Sequence, residues 1–162
     1  MKLFIIRHAW AGERGDPRWP DDRLRPLTEE GIERFEGVAK KLVDRGLKPR
    51  LIATSPLVRC VQTARIVAQH APGHPRLVER EELAPGSDLA ALLQWTASEE
   101  QQSVAWVGHA PDVGYLAAAL IGGGSASIRF AKGAACAIEF DGDLAPGRGE
   151  LQWLATAKLL GC

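Results

Sequence analysis

The sequence predicts one α/β domain, a three-layer sandwich in which helices cover both faces of a mostly parallel sheet. Short apolar runs alternate along the chain with segments whose apolar residues recur at helical spacing, which is the pattern of β-α-β units. A chain of 162 residues is long enough for one compact domain and leaves little room for a second. We therefore expect residues 1–162 to form a single domain with right-handed crossovers between its parallel strands.

The first part of the chain predicts a strand, a long loop and a helix. Residues 3–6 are a continuous apolar run that stops at a polar pair, as a strand buried in a parallel sheet would. Residues 9–27 contain two glycines and three prolines and predict a surface loop, and a loop of this length is often functional. Thr28 is a suitable N-cap for a helix that Gly46 ends. The apolar residues of that helix recur at helical spacing: Ile32, Phe35, Val38, Ala39 and Leu42.

The rest of the chain continues the alternation of strands and helices. Further strands are predicted where short apolar runs end at polar or turn residues: 51–53, 77–78, 104–107, 135–140 and 151–154. The helices between them are predicted from apolar residues at helical spacing: 57–70, 89–95 and 113–120. Residues 81–88 are typical of a polar turn.

The composition argues against several classes of protein. Twenty basic residues balance twenty acidic ones, so non-specific binding to nucleic acid or to an anionic membrane is not favoured. No apolar run is long enough for a signal-peptide core or a membrane span. The three cysteines are odd in number and far apart, which is typical of reduced thiols in a cytoplasmic protein. Cys60 falls in the middle of a predicted helix, where a packing role is favoured over a nucleophilic one.

Polar residues follow the ends of four predicted strands. In an open α/β sheet, ligands bind beyond the carboxyl ends of the strands, so these residues are expected to face one crevice. The first strand ends at Arg7 and His8, the second is followed by Ser55 and Arg59, and the fourth ends at Gly108 and His109. These residues are candidate phosphate ligands. The third strand ends near an acid, Glu82.

Two arginines and two histidines around one point suit a phosphoryl group. A phosphate monoester carries about −1.5 to −2 charge at neutral pH, and guanidinium groups bind it with two parallel hydrogen bonds. A histidine must be neutral to attack phosphorus. Because nearby positive charges disfavour the imidazolium form, Arg7 and Arg59 would keep His8 neutral while they bind the substrate. The same groups would stabilise negative charge in the transition state.

Each of these residues also has a simpler interpretation. A single histidine after a strand is usually structural, and an arginine on a helix is usually a solvated surface charge. Glu82 lies in a charged run that suits an exposed turn. A metal site that includes His8 and His109 is conceivable, but no two ligands have the close spacing of zinc motifs. Ser55 is not surrounded by the glycine elbow of a serine hydrolase.

The ordered set of motifs resembles the histidine phosphatase superfamily, and within it the SixA-like phosphohistidine phosphatases. Arg7-His8-Ala9 after the first strand resembles the Arg-His-Gly signature, with alanine in place of the glycine. The resemblance covers nearly the whole chain and continues in three further motifs: Arg25-Pro26-Leu27-Thr28-x-x-Gly31, Ser55-Pro56-x-x-Arg59-x-x-x-Thr63-Ala64 and Gly108-His109-Ala110-Pro111.

The resemblance implies a phosphoglycerate-mutase-like fold and a role for each matching residue. His8 would be the nucleophile that becomes phosphorylated, and Arg7, Arg59 and His109 would bind the phosphoryl group. His109 would also stabilise the transition state. Glu82 would lie where many relatives place their proton donor, with neighbouring Glu81 as the alternative.

The expected activity is therefore a phosphohydrolase that uses neither a metal nor another cofactor. The expected substrate is a phosphorylated protein, such as a histidine phosphotransfer domain. Two alternatives stay open at this point: a phosphatase of small phosphate esters that uses the same residues, and a non-catalytic phosphate-binding domain. The pairing of His8 with His109 argues against the second, because binding alone does not require a nucleophile.

Overall fold

A computed structural model describes all residues 1–162, which form six strands, four α-helices and two short 3-10 turns. The strands are β1 (Lys2–Arg7), β2 (Leu51–Thr54), β3 (Arg76–Glu79), β4 (Ser103–Gly108), β5 (Ala135–Glu139) and β6 (Glu150–Ala155). The helices are α1 (Glu29–Asp44), α2 (Val58–His70), α3 (Leu89–Ser98) and α4 (Asp112–Gly122). The 3-10 turns are Asp22–Leu24 and Glu81–Leu83.

The six strands form one sheet in the order β3-β2-β4-β1-β5-β6. The first four strands of that order are parallel, whereas β5 pairs antiparallel with both β1 and β6. The predicted α/β class and the mostly parallel sheet are therefore confirmed. No helix is both long enough and apolar enough to cross a membrane.

The core consists of two clusters, one on each face of the sheet. Alternate residues of β1 point to opposite faces, as the two-residue period of a strand requires. Phe4 and Ile6 pack with α1 and α2, whereas Leu3 and Ile5 pack with α3 and α4. These four β1 side chains are fully buried, which is why residues 3–6 of the strand are all apolar. The predicted three-layer sandwich is thus observed.

Three neighbouring strands end at the same level of the sheet. In the register of the sheet, Arg7 of β1 lies beside Gly108 of β4, and Thr54 of β2 lies beside Val107. The backbone continues this pairing for one residue beyond the strands. The amide of His8 donates to the Gly108 carbonyl at 3.0 Å, and the amide of Ser55 donates to the Val107 carbonyl at 2.9 Å. The segments after β1, β2 and β4 are therefore held side by side at one edge.

Candidate active site

A cleft of about 550 Å³ opens at this edge of the sheet, and four predicted residues line it: Arg7, His8, Arg59 and His109. Arg7 is the last residue of β1, His8 follows it, and His109 follows β4. Arg59 lies in the first turn of α2. The residues His8, Arg59 and His109 are each less than a tenth exposed, although they carry polar groups. The structure thus brings together the two arginines and two histidines that the strand ends predicted.

The imidazole of His8 is fixed in one tautomer by a backbone carbonyl. Its Nδ1 lies 2.8 Å from the carbonyl oxygen of Ala9. A carbonyl only accepts hydrogen bonds, so Nδ1 carries the proton and Nε2 keeps its lone pair. The backbone around the ring is also held, because Ala9 donates its amide to Thr63 Oγ1 at 3.0 Å. His8 is therefore a neutral, oriented base with Nε2 available for attack.

Burial and neighbouring positive charge keep His8 neutral. The pKa of His8 is lowered from 6.5 to about 3, chiefly by burial and further by the charges of His109, Arg59 and Arg7. The hydrogen bond to the Ala9 carbonyl opposes this shift. The arginines were expected to lower this pKa from the sequence, but desolvation of the ring is the larger cause.

His109 faces His8 across the cleft. The ring centres are 5.3 Å apart and the ring planes are inclined at 61°. His109 Nε2 lies 2.9 Å from Ser55 Oγ, so the serine positions this ring. The pKa of His109 is lowered to about 4, first by burial and then by the charge of Arg59. His109 is therefore neutral at physiological pH.

Cys60 contacts His109, and the sequence did not predict this contact. The cysteine was predicted to lie in the middle of a helix, but it is the third residue of α2 and lies in the first turn, beside the cleft. Its Sγ is 3.4 Å from His109 Nε2. Burial raises the pKa of the Cys60 thiol to about 12, so the sulfur is a protonated thiol and a poor nucleophile. A packing role is in keeping with this environment.

The two predicted arginines of the cleft, Arg7 and Arg59, are anchored on one side and keep unused donors. Arg7 Nη1 donates to the Phe130 carbonyl at 2.8 Å. Arg59 donates to Asp22 twice, from Nη1 to the backbone carbonyl at 2.8 Å and from Nη2 to Oδ2 at 3.0 Å. The Nε atoms of Arg7 and Arg59 are buried and have no hydrogen-bond partner. Because a guanidinium carries five N–H donors, each arginine retains several donors for an anion in the cleft.

Asp22 is the main residue of the site that the sequence analysis missed. Its carboxylate also accepts a hydrogen bond from Arg25 Nε at 2.8 Å, and this bond, followed by the charge of Arg59, holds the aspartate pKa below its usual value. Arg25 in turn donates to the Gly12 carbonyl at 2.7 Å. The long loop of residues 9–27 therefore packs over the cleft and orients Arg59. The length of that loop and the Arg25 motif were the available signals.

Glu82 is the one predicted site residue that the structure does not place in the cleft. Its Oε1 accepts a hydrogen bond from Arg80 Nη2 at 2.6 Å. The alternative acid, Glu81, pairs with Arg23 at 2.8 Å and is exposed. The 3-10 turn that contains both acids buries Leu83 in the core and directs the carboxylates to these arginines. A proton-donor role for Glu82 stays a prediction, and this geometry does not support it. The acids that do line the cleft are Glu13, Asp22 and Asp112.

Comparison with known families shows which family the chain belongs to. Residues 3–85, just over half of the chain, match the model of the histidine phosphatase superfamily (branch 1). The chain belongs to the histidine phosphatase superfamily. The matched region contains β1, the loop over the cleft, α1, β2 and α2, and thus three of the four predicted cleft residues.

Individual relatives of this superfamily extend the likeness to the whole chain. The phosphohistidine phosphatase SixA of Escherichia coli is 29% identical over 158 residues, which are 94% of this chain and 92% of that protein. An uncharacterised protein of Picosynechococcus sp. is 40% identical over 124 residues, 74% of this chain and 73% of that protein. A structure of the protein histidine phosphatase SixA in complex with tungstate superimposes with a TM-score of 0.83 at 28% identity, covering 99% of both chains. The chain is a phosphatase of this superfamily that is similar to SixA in sequence and fold.

Ala9 is the departure from the superfamily signature noted above. Its side chain is fully buried and belongs to the core cluster beneath α1 and α2. The methyl group is thus accommodated in the core while the Ala9 carbonyl holds His8.

Proposed function

We propose that this protein removes the phosphoryl group from phosphohistidine in a protein, through a phosphorylated His8. One observation carries the proposal: a neutral His8 whose Nε2 is available lies in the same cleft as two arginines that retain unused donors. Similarity to SixA supports the choice of phosphohistidine as the substrate.

The first transfer forms a bond between His8 Nε2 and phosphorus. As this bond forms, the bond from phosphorus to the leaving group breaks, and its electron pair departs with that group. Arg7 and Arg59 donate hydrogen bonds to the phosphoryl oxygens, and His109 contributes from the opposite wall. The Ala9 carbonyl, which accepts a hydrogen bond from Nδ1–H, favours the positive charge that the phosphorylated ring acquires.

The second transfer returns the enzyme to its starting state. A water oxygen attacks phosphorus in line, and the bond to Nε2 breaks with its electron pair returning to His8. The proton of the water passes to phosphate or solvent, and inorganic phosphate leaves. Every step uses side chains of this chain, because the arginines supply the positive charge that a metal ion supplies in other phosphatases. Independence from metals and other cofactors is therefore part of the proposal, as is a cytoplasmic location.

The position of Glu82 favours phosphohistidine over simple esters. Expulsion of an alkoxide requires a proton, because the parent alcohol is about as weak an acid as water, with a pKa near 15.7. Expulsion of imidazole is easier, because its conjugate acid has a pKa of about 6.5. Glu82 is paired with Arg80 outside the cleft, so phosphohistidine, whose leaving group needs no dedicated acid, is the better substrate. Glu13 and Asp112 at the cleft favour ester hydrolysis as the second candidate function.

The proposal is tested by comparing kcat/KM on three substrates: a histidine phosphotransfer domain phosphorylated on histidine, an alkyl phosphate and an aryl phosphate. We expect the phosphorylated domain to be turned over with the highest kcat/KM and the alkyl phosphate with the lowest. Preference for an alkyl phosphate would replace the proposal with the ester phosphatase. Failure to turn over any of the three, with binding of inorganic phosphate retained, would indicate a non-catalytic phosphate-binding domain.

A further inference from the structure

A second concave surface lies next to the cleft and is lined by basic side chains. This depression, the basic basin, has a volume of about 460 Å³. None of its lining residues is acidic. Its walls include four cations from three separate segments: Arg34 of α1, Arg129 and Lys132 before β5, and Lys158 after β6. In a chain whose formal net charge is zero, this is a strong local concentration of positive charge.

None of the four cations of the basin is paired with an aspartate or glutamate side chain. None of them lies within 4.0 Å of an aspartate or glutamate oxygen, and all four are exposed. Some surface arginines elsewhere are paired, as Arg18 is with Asp16 and Arg76 with Glu99. Unpaired like charges that converge on one depression repel one another, and an anionic partner would remove this repulsion.

One of the four cations is held in place before any partner binds. The Arg34 guanidinium carbon lies 4.1 Å from the centre of the Trp10 ring, within the range of a cation–π contact. Arg34 Nη2 also donates to the Cys162 carbonyl at 3.0 Å. The indole is itself fixed against Gly133, where an added Cβ would lie 3.2 Å from Trp10 Cζ3 and where the φ of 69° favours glycine. The Arg34 charge is therefore presented to the basin at little conformational cost.

The basin borders the catalytic cleft. Lys132 lines both depressions, and Trp10 follows His8 by two residues. Arg129 also lines a third depression together with Arg7, and the Arg129 charge contributes to lowering the pKa of Arg7. A macromolecule that places one phosphorylated residue against His8 would therefore cover the basin with the surface beside that residue.

We propose that the basic basin binds the acidic face of the phosphorylated protein, with carboxylates beside the phosphohistidine contacting Arg34, Arg129, Lys132 and Lys158. This inference rests on the function proposed above and names the chemistry of its partner. Exposed lysines suit carboxylates on a protein surface, because each acts as a flexible point charge without a fixed pairing geometry. Such a surface would also steer an acidic partner to the cleft and raise the rate of productive encounter.

The test compares one phosphorylated group with and without its protein surface. The substrates are an acidic histidine phosphotransfer domain phosphorylated on histidine and free phosphohistidine. The variants are Lys158→Glu, whose side chain makes no hydrogen bond within the protein, and the double variant Arg34→Glu/Lys158→Glu. The matched control is Lys48→Glu, an exposed and unpaired lysine before β2, at the opposite edge of the sheet.

We expect the double variant to lose about tenfold in kcat/KM on the phosphorylated domain, the lower end of the range for electrostatic steering. Free phosphohistidine should be turned over within about twofold of the wild type, and Lys48→Glu should behave as the wild type on both substrates. The loss on the domain should shrink at high salt, because surface charges are then screened. Poly-glutamate should inhibit wild-type turnover of the domain more strongly than that of the free compound.

Three results would overturn this inference while the proposed function stands. An unchanged kcat/KM on the phosphorylated domain would show that the basin does not contact it. An equal loss on free phosphohistidine would show that these residues act through the cleft rather than through a protein surface. Inhibition by single-stranded RNA without inhibition by poly-glutamate would assign the basin to nucleic acid. If the wild type turned over esters but neither phosphohistidine substrate, the proposed function itself would fail, and the inference would fail with it.

Discussion

Acidification is expected to destabilise this protein mainly through the two histidines of the cleft. A histidine in the unfolded chain has a pKa of about 6.5, whereas the pKa is about 3 for His8 and about 4 for His109 in the folded protein. Between these values the unfolded state binds more protons than the folded state, so the free energy of unfolding falls as the pH falls. From neutral pH to about pH 4, these shifts correspond to roughly 3 kcal/mol for each histidine. Total stabilities are about 5–15 kcal/mol, so the effect is large.

Urea unfolding of the wild type and of His8→Asn at about pH 7 and pH 4 measures the His8 contribution. The variant should lose roughly 3 kcal/mol less stability on acidification than the wild type, because asparagine does not titrate. The matched control is His74→Asn, an exposed loop residue with a φ of 49°, a conformation that asparagine tolerates. An equal loss of stability in the wild type and in His8→Asn would refute the argument that burial keeps this imidazole neutral.

Three further predictions concern catalysis. Arg59→Lys should lower kcat/KM about 30-fold, because lysine lacks the planar guanidinium and removing one oriented donor costs about 2 kcal/mol or more in transition-state stabilisation. An unchanged kcat/KM with the fold intact would make Arg59 a purely structural residue. Glu82→Gln should change kcat/KM on alkyl phosphate, aryl phosphate and phosphohistidine by less than about threefold, because the Glu82 carboxylate pairs with Arg80. A selective loss of about 10² to 10⁴-fold on the alkyl phosphate would establish Glu82 as a general acid. Dialysis against a strong chelator should leave activity unchanged, and a loss restored by zinc, manganese or magnesium would show that the mechanism depends on a metal.

The cleft was predictable from the sequence wherever a strand end determines the position of a side chain. A buried parallel strand is a short apolar run, so its last residue is visible in the sequence, and Arg7, His8, Ser55 and His109 follow directly. Because the carboxyl ends of parallel strands share one edge of the sheet, their convergence also follows from the fold class. Arg59 was reachable because it lies only one helical turn beyond such an end.

Contacts that depend on the folded path of a loop were not predictable. Asp22 lies in a loop without hydrophobic periodicity, and its partner Arg59 is 37 residues away. Glu82 lies close to the end of β3, but its side chain turns to Arg80, and such a choice between local partners leaves no periodic signal. The contact of Cys60 with His109 joins two segments that are 49 residues apart in the chain, and hydrophobic periodicity reports only on local structure.

The order and direction of the late strands were also beyond the sequence pattern. The apolar runs of β5 and β6 predicted two strands, but nothing in them states that β5 pairs antiparallel with β1 or that β4 lies between β1 and β2. Strand order is set by long-range pairing, whereas the sequence pattern reports mainly on local structure. The family resemblance was the only sequence-based guide to this arrangement.

The central claim is that His8 carries the phosphoryl group during turnover. The most direct measurement is a rapid quench of the wild type with phosphate-labelled substrate under non-acidic conditions, followed by mass-spectrometric location of the label. We expect an acid-labile, base-stable phosphoryl group on His8, formed and lost at rates compatible with kcat, and no label or turnover in His8→Ala. Full turnover in His8→Ala, or a label on another residue of the wild type, would contradict the account.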